Sequence, residues 1–506
     1  MIGLFKFKLN SPFFRISLII GLRVSTGNRK FLATKICSGI FLWLFCVMET
    51  NDDLRQKGDK AMGNILIKNA EIITMNSSEA ILQGDIRIKD SIIIEIGTGL
   101  TPQGNEKVLD ATNRTVIPGF IQTHIHLCQT LFRGKGDDLE LMDWLRNRIW
   151  PLEAAHDQES IYYSAMLGIG ELISSGTTTI VDMETVHHTD FAFQALAQSG
   201  IRALSGKVMM DQKNKDIPDA LQEDTLSSLQ ESVDLLEKWN GYGAGRIQYA
   251  FSPRFVISCT EPLLTEVRDL SARYGVKVHT HASENLGEIE IVQAMTGMRN
   301  VVYLDHLGLA NDRLILAHCV WLDEEEHRIL HDRGVHVSHC PGSNLKLASG
   351  VADTHGMLRE HISLSLGADG APCNNNLDMF NEMRLAALIQ KPLHGPTAMD
   401  ARSVFRMATI GGARAVGMED KIGSIEVGKK ADLAILNLYN FHTFPSYDVD
   451  PISRIVYSAT RADVETTIVD GEILMERGML KTVDKETVLY EANRSIKRLL
   501  KCTSLV

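Results

Sequence analysis

Short apolar runs alternate with stretches of helical periodicity through the middle of the chain. Residues 160–174 carry apolar side chains at helical spacing, and Ser175-Gly176 separates them from the β-branched run 177–181. The same unit recurs, and counting from Phe120 gives eight candidate strands, each followed by a connection long enough for a helix. The further candidate strands lie at 201–204, 246–250, 276–280, 314–317, 335–338 and 362–366. This alternation predicts an α/β protein built as a (β/α)8 TIM-type barrel.

Strand-like runs also flank this middle region on both sides. They lie at 65–67, 72–75, 85–88 and 92–96 before it, and at 432–436, 464–469 and 472–474 after it. Asp470-Gly471 between the last two runs is a strong hairpin signal. We therefore expect a small β-sandwich domain built from both ends of the core, although two unrelated terminal sheets would fit the same pattern. The predicted boundaries are 62–117 and 416–485 for the composite β domain, 118–415 for the barrel and 486–506 for a C-terminal helix.

Residues 1–61 form an atypical N-terminal extension. Basic residues alternate there with apolar patches, and no acidic residue precedes Glu49. The run 36–48 is almost continuously apolar, but it is shorter than the roughly 20 residues that a membrane-spanning helix needs. No small-x-small cleavage site follows it. We favour a mis-assigned start, with translation beginning at Met48 or Met62, over a targeting or membrane-surface segment.

The composition is that of a soluble globular protein, with 44% apolar and 23% charged residues among 506. A formal net charge of −11 and the absence of a long basic run argue against a nucleic-acid partner. Eight cysteines are scattered without a CxxC pair, as is typical of reduced thiols in a cytoplasmic protein. We expect a cytoplasmic location, no membrane association of the core, and a small-molecule substrate. Any metal ion must then be held by histidine and carboxylate.

Histidines and acids follow directly on several candidate strands. His124 and His126, two apart on one strand, point to the same face. In barrels of this type the chemistry lies at the carboxyl ends of the strands. The polar residues at the later strand ends are His281, Glu284, His318, His339 and Asp369. Imidazoles with a carboxylate suit a divalent ion, which lowers the pKa of a bound water toward neutrality.

We expect one metal ion, with Zn²⁺ as the first choice and Fe²⁺ as the alternative. No lysine ends a middle strand in a way that suggests a bridge between two ions. His187-His188 is not counted as a ligand pair, because neighbouring side chains do not face one way and a solvated loop fits better.

From about Met62 to residue 485 the chain resembles the amidohydrolase superfamily, and within it the metal-dependent aminohydrolases that include the methylthioadenosine/S-adenosylhomocysteine deaminases. The matching segments are PGFIQTHIH (118–126), HTHASEN (279–285), LAHCVWL (316–322), SHCPGSNLKLASG (338–350), LGADGAPCNNNLDMFNEMRLAALIQK (366–391) and IGSIEVGKKADLAIL (422–436).

The resemblance implies a role for each of these polar residues. The implied metal ligands are His124, His126, His281 and Asp369. Asp369 would also take a proton from the water, His318 would orient the attacking oxygen, and Glu284 would protonate the ring nitrogen. His279 would be structural. His339 would lie behind the ligands or bond to the backbone, and both alternatives stay open.

The residues at the expected substrate-binding positions match the pattern of the resembled deaminases less closely than the metal ligands do. Asp143-Trp144 matches the segment that faces the ribose in adenosine-type deaminases, but with Asp where Glu is expected. Lys207 stands where Arg is expected. Arg254 resembles the guanine deaminases, in which an arginine reaches the purine carbonyl, but a gate salt bridge is an alternative for it. Ordinary helix packing is an alternative for Trp144.

The resemblance therefore implies a hydrolytic deaminase that releases ammonia from a 6-aminopurine nucleoside of the S-adenosylhomocysteine, methylthioadenosine or 5′-deoxyadenosine type. The alternative substrate is guanine or another amino-heterocycle, triazines included. Retention of every ligand and of both acid–base residues argues against a metal-free scaffold protein. A homo-oligomer is compatible with the resemblance.

Overall fold

The computed structural model describes residues 3–11, 14–22 and 63–503. The chain divides into two compact units, Met1–Lys57 and Gly58–Val506. In the first, strands Gly3–Ser11 and Phe14–Leu22 pair antiparallel. The predictions of a mis-assigned start or a targeting segment depend largely on residues 23–62, including the apolar run 36–48, and these lie outside the described residues. None of the helices described is long and apolar enough to cross a bilayer.

All eight candidate strands of the middle region are present in two parallel sheets, which also include a ninth, two-residue strand, Asp369–Gly370. In spatial order, the five-stranded sheet contains Ile247–Tyr249, Arg202–Gly206, Thr177–Met183, Phe120–His126 and Asp369–Gly370. The four-stranded sheet contains Val278–Ala282, Leu314–His318, His336–His339 and Ser363–Leu366. Helices follow these strands along the chain, which confirms the predicted α/β class.

The two sheets are not joined by continuous ladders, so the predicted closed barrel is reproduced only in part. On one side an isolated bridge pairs Phe251 with Val278. On the other side Thr123 Oγ1 donates to Leu366 O at 3.0 Å. A separate short ladder pairs Val208–Met209 with Ser252–Pro253.

Eight α-helices of the described residues are ten residues long or longer. They are Gln158–Ser174, Thr189–Ser199, Thr225–Trp239, Glu261–Tyr274, Leu286–Thr296, Glu324–Arg333, Met379–His394 and Lys485–Cys502. The shorter α-helices are Leu141–Trp144, Trp150–Ala154, Tyr242–Gly245, Asn300–His306, Pro341–Lys346, Thr354–Arg359, Ala371–Asn374, Ala401–Arg406, Gly412–Ala415 and Pro451–Tyr457. Segments of 3₁₀-helix are Leu127–Phe132, Asp219–Leu221, Val256–Ser258, Phe441–Thr443 and Arg461–Asp463, and π-helical turns are Leu145–Ile149 and Met407–Gly411.

Apolar side chains fill the space between the parallel strands near their amino ends. Ile121, Val181, Leu204 and Ile315, each from a different strand, form one cluster that the segment 413–422 covers. This packing leaves the carboxyl ends of the strands as the place where polar side chains can converge.

The two β-rich ends of the core form one mixed sheet. Its strands are Ile65–Ile73, Ile81–Lys89, Ile92–Gly97, Lys107–Asp110, Thr115–Pro118, Leu433–Leu436, Val464–Val469, Glu472–Glu476 and Met479–Leu480. Leu433–Leu436 pairs with Thr115–Pro118, so strands from both ends of the core meet side by side. The predicted β-sandwich is not confirmed, because the hydrogen bonds define a single continuous sheet. The hairpin at Asp470-Gly471 is confirmed, with φ of 53° and 76° at the two turn residues.

Candidate active site

The two histidines of the HxH pair lie at the carboxyl end of strand Phe120–His126, and both are buried. His126 Nδ1 lies 2.7 Å from the carbonyl oxygen of Met183, and His281 Nδ1 lies 2.7 Å from that of Arg254. Because a carbonyl oxygen only accepts, each Nδ1 carries the proton and each Nε2 offers a lone pair. The two Nε2 atoms lie 3.3 Å apart, so two lone pairs face each other.

Asp369 brings a carboxylate to the same point. Its Oδ1 lies 3.3 Å from His124 Nε2 and 3.3 Å from His126 Nε2. The backbone N–H of Gly370 donates to Oδ1 at 2.7 Å, and Ser343 Oγ donates to Oδ2 at 2.6 Å. Asp369 has a φ of 61°, a strained backbone of the kind that the surroundings must hold in place.

This donor set fits a divalent cation. Ligand atoms of His124, His281 and Asp369 lie within 4.8 Å of one another and of a ring nitrogen of His318, which borders the same point. His124 Nε2 and His318 Nε2 are buried without a hydrogen-bond partner. Burial lowers the pKa of His124 to about 4 and that of His281 well below its ordinary value, so both rings are neutral, as a ligand must be. Facing lone pairs beside a carboxylate are repulsive until a cation lies among them.

The Nδ1 atom of His124 also has a hydrogen-bond partner, the side chain of His279. His124 Nδ1 lies 2.9 Å from His279 Nε2, which gives His279 the structural role expected of it. Such contacts fix the ring orientation and the tautomer of a metal ligand.

Glu284 and His318 lie beside this cluster. His318 Nε2 is 3.5 Å from Glu284 Oε2 and 3.8 Å from Asp369 Oδ2. Burial raises the pKa of Glu284. Burial also opposes ionisation of Asp369, but the imidazoles of His124 and His126 outweigh it and hold the pKa of that carboxyl well below its usual range. The two carboxyl groups thus have pKa values displaced in opposite directions, which suits an acid and a base in one site.

A small cavity opens onto these groups. Its apolar wall consists of Leu141, Trp144, Leu145, Phe255 and Leu347. Its polar lining consists of His126, Gln129, Arg254, His281, Glu284, Glu288, His318 and Asp369. An apolar wall with a few converging polar groups is typical of a small-molecule site.

The structure brings Trp144 and Arg254 to this cavity, as the sequence predicts. The guanidinium of Arg254 is paired with Glu153, Nη1 to Oε2 at 2.6 Å, and both residues are buried. Gln129 Nε2 donates to the other oxygen of Glu153 at 2.8 Å. The salt-bridge alternative for Arg254 is therefore present, but the side chain still forms part of the cavity wall.

Two of the predicted substrate contacts do not reach the cavity. Lys207 is fully buried, and its ammonium donates to Glu223 and to the carbonyl oxygen of Val208. Its charge is neutralised inside the fold by Glu223, so the structure does not support a substrate contact for Lys207, and that assignment stays an untested prediction. Asp143 is exposed and does not line the cavity, so its contact with a ribose stays a prediction.

Two other histidines that the sequence analysis considered, His339 and His187, differ from the candidate ligands. His339 is fully buried, and neither of its ring nitrogens has a hydrogen-bond partner, which excludes the backbone-bonded alternative. His187 is exposed, as expected of a loop residue. It lies near Glu223 and Glu231, but Lys207 already forms an ion pair with Glu223.

Several polar groups of the site were not predicted from the sequence. Glu288 lines the cavity, and its Oε2 accepts the backbone N–H of Glu284 at 2.8 Å. Gln129 and Glu153 were also missed. Gln129 lies three residues after His126, and Glu288 lies one helical turn after Glu284, so spacing alone could have flagged both. Glu153 gave no such signal, because its partner Arg254 is distant in the sequence.

An α/β fold with imidazoles and a carboxylate at the carboxyl ends of parallel strands is the architecture of a metal-dependent hydrolase. The model of the amidohydrolase family matches residues 115–474, and the chain belongs to that family. It is accordingly a hydrolase that acts on carbon–nitrogen bonds, as the sequence predicts.

Curated relatives align over most of the chain. A 5-methylthioadenosine/S-adenosylhomocysteine deaminase of Syntrophomonas wolfei subsp. wolfei is 39% identical over 440 residues, covering 86% of this chain and 99% of the relative. A 5′-deoxyadenosine deaminase of Methanobrevibacter smithii is 40% identical over 436 residues, covering 86% and 98%. Among solved structures, an adenosine deaminase from Xanthomonas campestris with bound zinc superposes with a TM-score of 0.81 at 32% identity, covering 87% of this chain and 99% of the other.

Proposed function

We propose that this protein is a hydrolytic deaminase that releases ammonia from a 6-aminopurine nucleoside of the S-adenosylhomocysteine, methylthioadenosine or 5′-deoxyadenosine type. The observation that carries the proposal is the placement of Glu284, His318 and Asp369 around one point of the cavity, with His318 Nε2 at 3.5 Å and 3.8 Å from the two carboxylates. The relatives named for this chemistry support the substrate class.

The residues that would hold the metal ion are His124, His126, His281 and Asp369. One divalent ion is expected, and the zinc in the Xanthomonas campestris structure favours Zn²⁺ over Fe²⁺. When bound, such an ion lowers the pKa of a water molecule toward neutrality and so supplies a nucleophile.

The chain's own side chains move the protons. Asp369, with its depressed pKa, is ionised and takes a proton from the attacking water. Delivery of this proton to the amino group lets the carbon–nitrogen bond break and ammonia leave, and the hydroxyl proton of the adduct restores the proton that Glu284 gives up. Glu284 carries a proton more readily than an exposed glutamate and donates it to the ring nitrogen beside the carbon that bears the amino group. Burial disfavours the imidazolium of His318, but the carboxylates of Glu284 and Asp369 outweigh it and raise the pKa of the ring. His318 Nε2 can therefore donate to the oxygen that develops negative charge.

The apolar wall of the cavity would pack against the purine ring. Trp144 and Phe255 offer flat apolar surfaces against which a planar heterocycle can pack. Arg254 offers N–H groups that its pairing with Glu153 leaves free, since a guanidinium has five donors. They would contact an acceptor on the ring.

One observation favours a second candidate, the deamination of guanine or of another amino-heterocycle such as a triazine. Arg254 lines the cavity, and Asp143, the expected partner of a ribose, does not. A free base with a carbonyl oxygen would use Arg254 and would need no ribose contact.

We also infer the finer architecture and setting from the same observations. The two parallel sheets would be parts of one (β/α)8 barrel over 118–415, and the single mixed sheet of 62–117 with 416–485 would fold over on itself into the two layers of a β-sandwich domain. The substrate is a small molecule, and a cytoplasmic location and a homo-oligomer are both part of the proposal.

Ammonia release across a panel tests the function. The panel contains methylthioadenosine, S-adenosylhomocysteine, 5′-deoxyadenosine, guanine and a triazine, each incubated with the zinc-loaded protein. We expect the highest kcat/KM with one of the nucleosides. Ammonia from guanine or the triazine alone would favour the second candidate, and no ammonia from any compound would refute the proposal.

A further inference from the structure

One short segment contacts all three of the groups to which acid–base roles are assigned. It comprises residues 343–349, from the end of helix Pro341–Lys346 into the turn that follows, and we call it the positioning segment. Its three hydrogen bonds join Ser343 Oγ to Asp369 Oδ2 at 2.6 Å, Asn344 Oδ1 to His318 Nδ1 at 2.8 Å, and Ser349 Oγ to Glu284 Oε1 at 3.2 Å.

The positioning segment is itself fixed from several sides. Ser343, Asn344 and Ser349 are all buried. Within the segment, the N–H of Ser349 donates to the carbonyl oxygen of Asn344 at 2.9 Å. From outside, Trp321 Nε1 donates to the carbonyl oxygen of Ser349 at 2.6 Å, and the N–H of Gly342, the residue before the segment, donates to Glu382 Oε2 at 2.9 Å. A segment held in this way can impose its geometry on side chains that it contacts.

The contact with His318 has a definite chemical consequence. Since Asn344 Oδ1 accepts from Nδ1, the ring turns its Nε2 toward Glu284 and Asp369. That Nε2 atom is buried and otherwise unpartnered, so no other hydrogen bond sets its direction. His318 also has a φ of 74°, a conformation that its surroundings must maintain.

We propose that Ser343, Asn344 and Ser349 are positioning residues for the deamination, acting through Asp369, His318 and Glu284, respectively. The inference rests on the proposed function, because it concerns the same three groups. None of the three positioning residues lines the cavity. Their loss should therefore lower kcat and leave KM nearly unchanged.

The lead experiment replaces Asn344 by leucine, which has a similar size and no acceptor. We expect kcat to fall by about 10–100-fold, with KM within about threefold of the wild type and the metal content unchanged. Asn344→Asp keeps an acceptor at the same place and should retain far more activity than the leucine variant. In a double-mutant cycle, Asn344→Leu should cost less than about twofold when added to His318→Ala, because its effect acts through that ring.

Ser343→Ala and Ser349→Ala extend the test to the other two contacts, and they change less volume if the leucine variant does not fold. Ser232→Ala is the matched control, because it removes a hydroxyl that is equally buried but bonds to Tyr249 Oη at 2.6 Å. We expect a lower kcat in Ser343→Ala and Ser349→Ala and a wild-type kcat in the control, Ser232→Ala. A wild-type kcat in Asn344→Leu, Ser343→Ala and Ser349→Ala would overturn the proposal. A full additional cost of Asn344→Leu in the His318→Ala background would also overturn it.

A readout without turnover separates this inference from the proposed function. In protein labelled with ¹⁵N-histidine, the His318 ring should show a protonated Nδ1 in the wild type, and this signal should change in Asn344→Leu. Unchanged His318 ring signals would refute the positioning role, whichever substrate the enzyme uses. A wild-type protein that shows the expected ring signals but releases no ammonia would refute the proposed function alone.

Discussion

Replacing Glu284 by glutamine removes a proton donor while keeping the size of the side chain. In the wild type, Oε1 accepts from Ser349 Oγ at 3.2 Å and Oε2 lies 3.5 Å from His318 Nε2. A glutamine can keep the first contact, since its amide oxygen also accepts, but it cannot deliver a proton to a ring nitrogen. Loss of a general acid typically lowers turnover by about 10²–10⁴-fold, which corresponds to about 2.7–5.5 kcal/mol of transition-state stabilisation.

The assay is the initial rate of ammonia release at saturating substrate, with the metal content of each sample measured by elemental analysis. Glu284 is not among the proposed ligands, so Glu284→Gln should retain a full equivalent of metal. A near-normal kcat in this variant would remove Glu284 from the mechanism. A lost metal ion would show instead that Glu284 acts as a ligand.

Three further predictions test other parts of the site. Replacing His281 or Asp369 by alanine should abolish metal retention and activity together, and a full metal complement in either variant would contradict the ligand assignment. Lys207→Met should leave the KM of the folded protein unchanged. It should lower the free energy of unfolding by about 3–5 kcal/mol in a denaturant titration, because Glu223 loses its buried partner. A raised KM with unchanged stability would instead support a substrate role for Lys207. The double substitution Glu153→Gln with Arg254→Gln removes the ion pair without leaving either charge unpaired. We expect it to raise KM by about tenfold. An unchanged KM would limit Arg254 to a structural role.

The strands, and the strand-end positions of most candidate metal ligands, could be predicted from the sequence because both follow from the order of residues in a short stretch of chain. An apolar run that ends in a histidine places that side chain at the end of a buried strand, and this reasoning located His124, His126 and His281 correctly at strand ends. The hairpin at Asp470-Gly471 is local in the same sense.

The features that could not be predicted depend on contacts between distant parts of the chain. Periodicity shows that a strand exists but not which strand it pairs with, so a sandwich was expected where the hydrogen bonds form one sheet. Lys207 follows a strand just as the ligands do, but it turns toward Glu223 and away from the cavity. Asn344 lies within a segment that carried the resemblance, yet nothing in the pattern links it to His318, 26 residues earlier.

The most direct test of the central claim is the deamination of methylthioadenosine, S-adenosylhomocysteine and 5′-deoxyadenosine by the zinc-loaded protein in ¹⁸O-labelled water, followed by mass spectrometry of the product. We predict that at least one nucleoside yields one equivalent of ammonia and a product in which the amino group is replaced by a single labelled oxygen. Intact nucleosides after prolonged incubation with the metal-loaded protein, or a product without the label, would contradict hydrolytic deamination of a 6-aminopurine nucleoside.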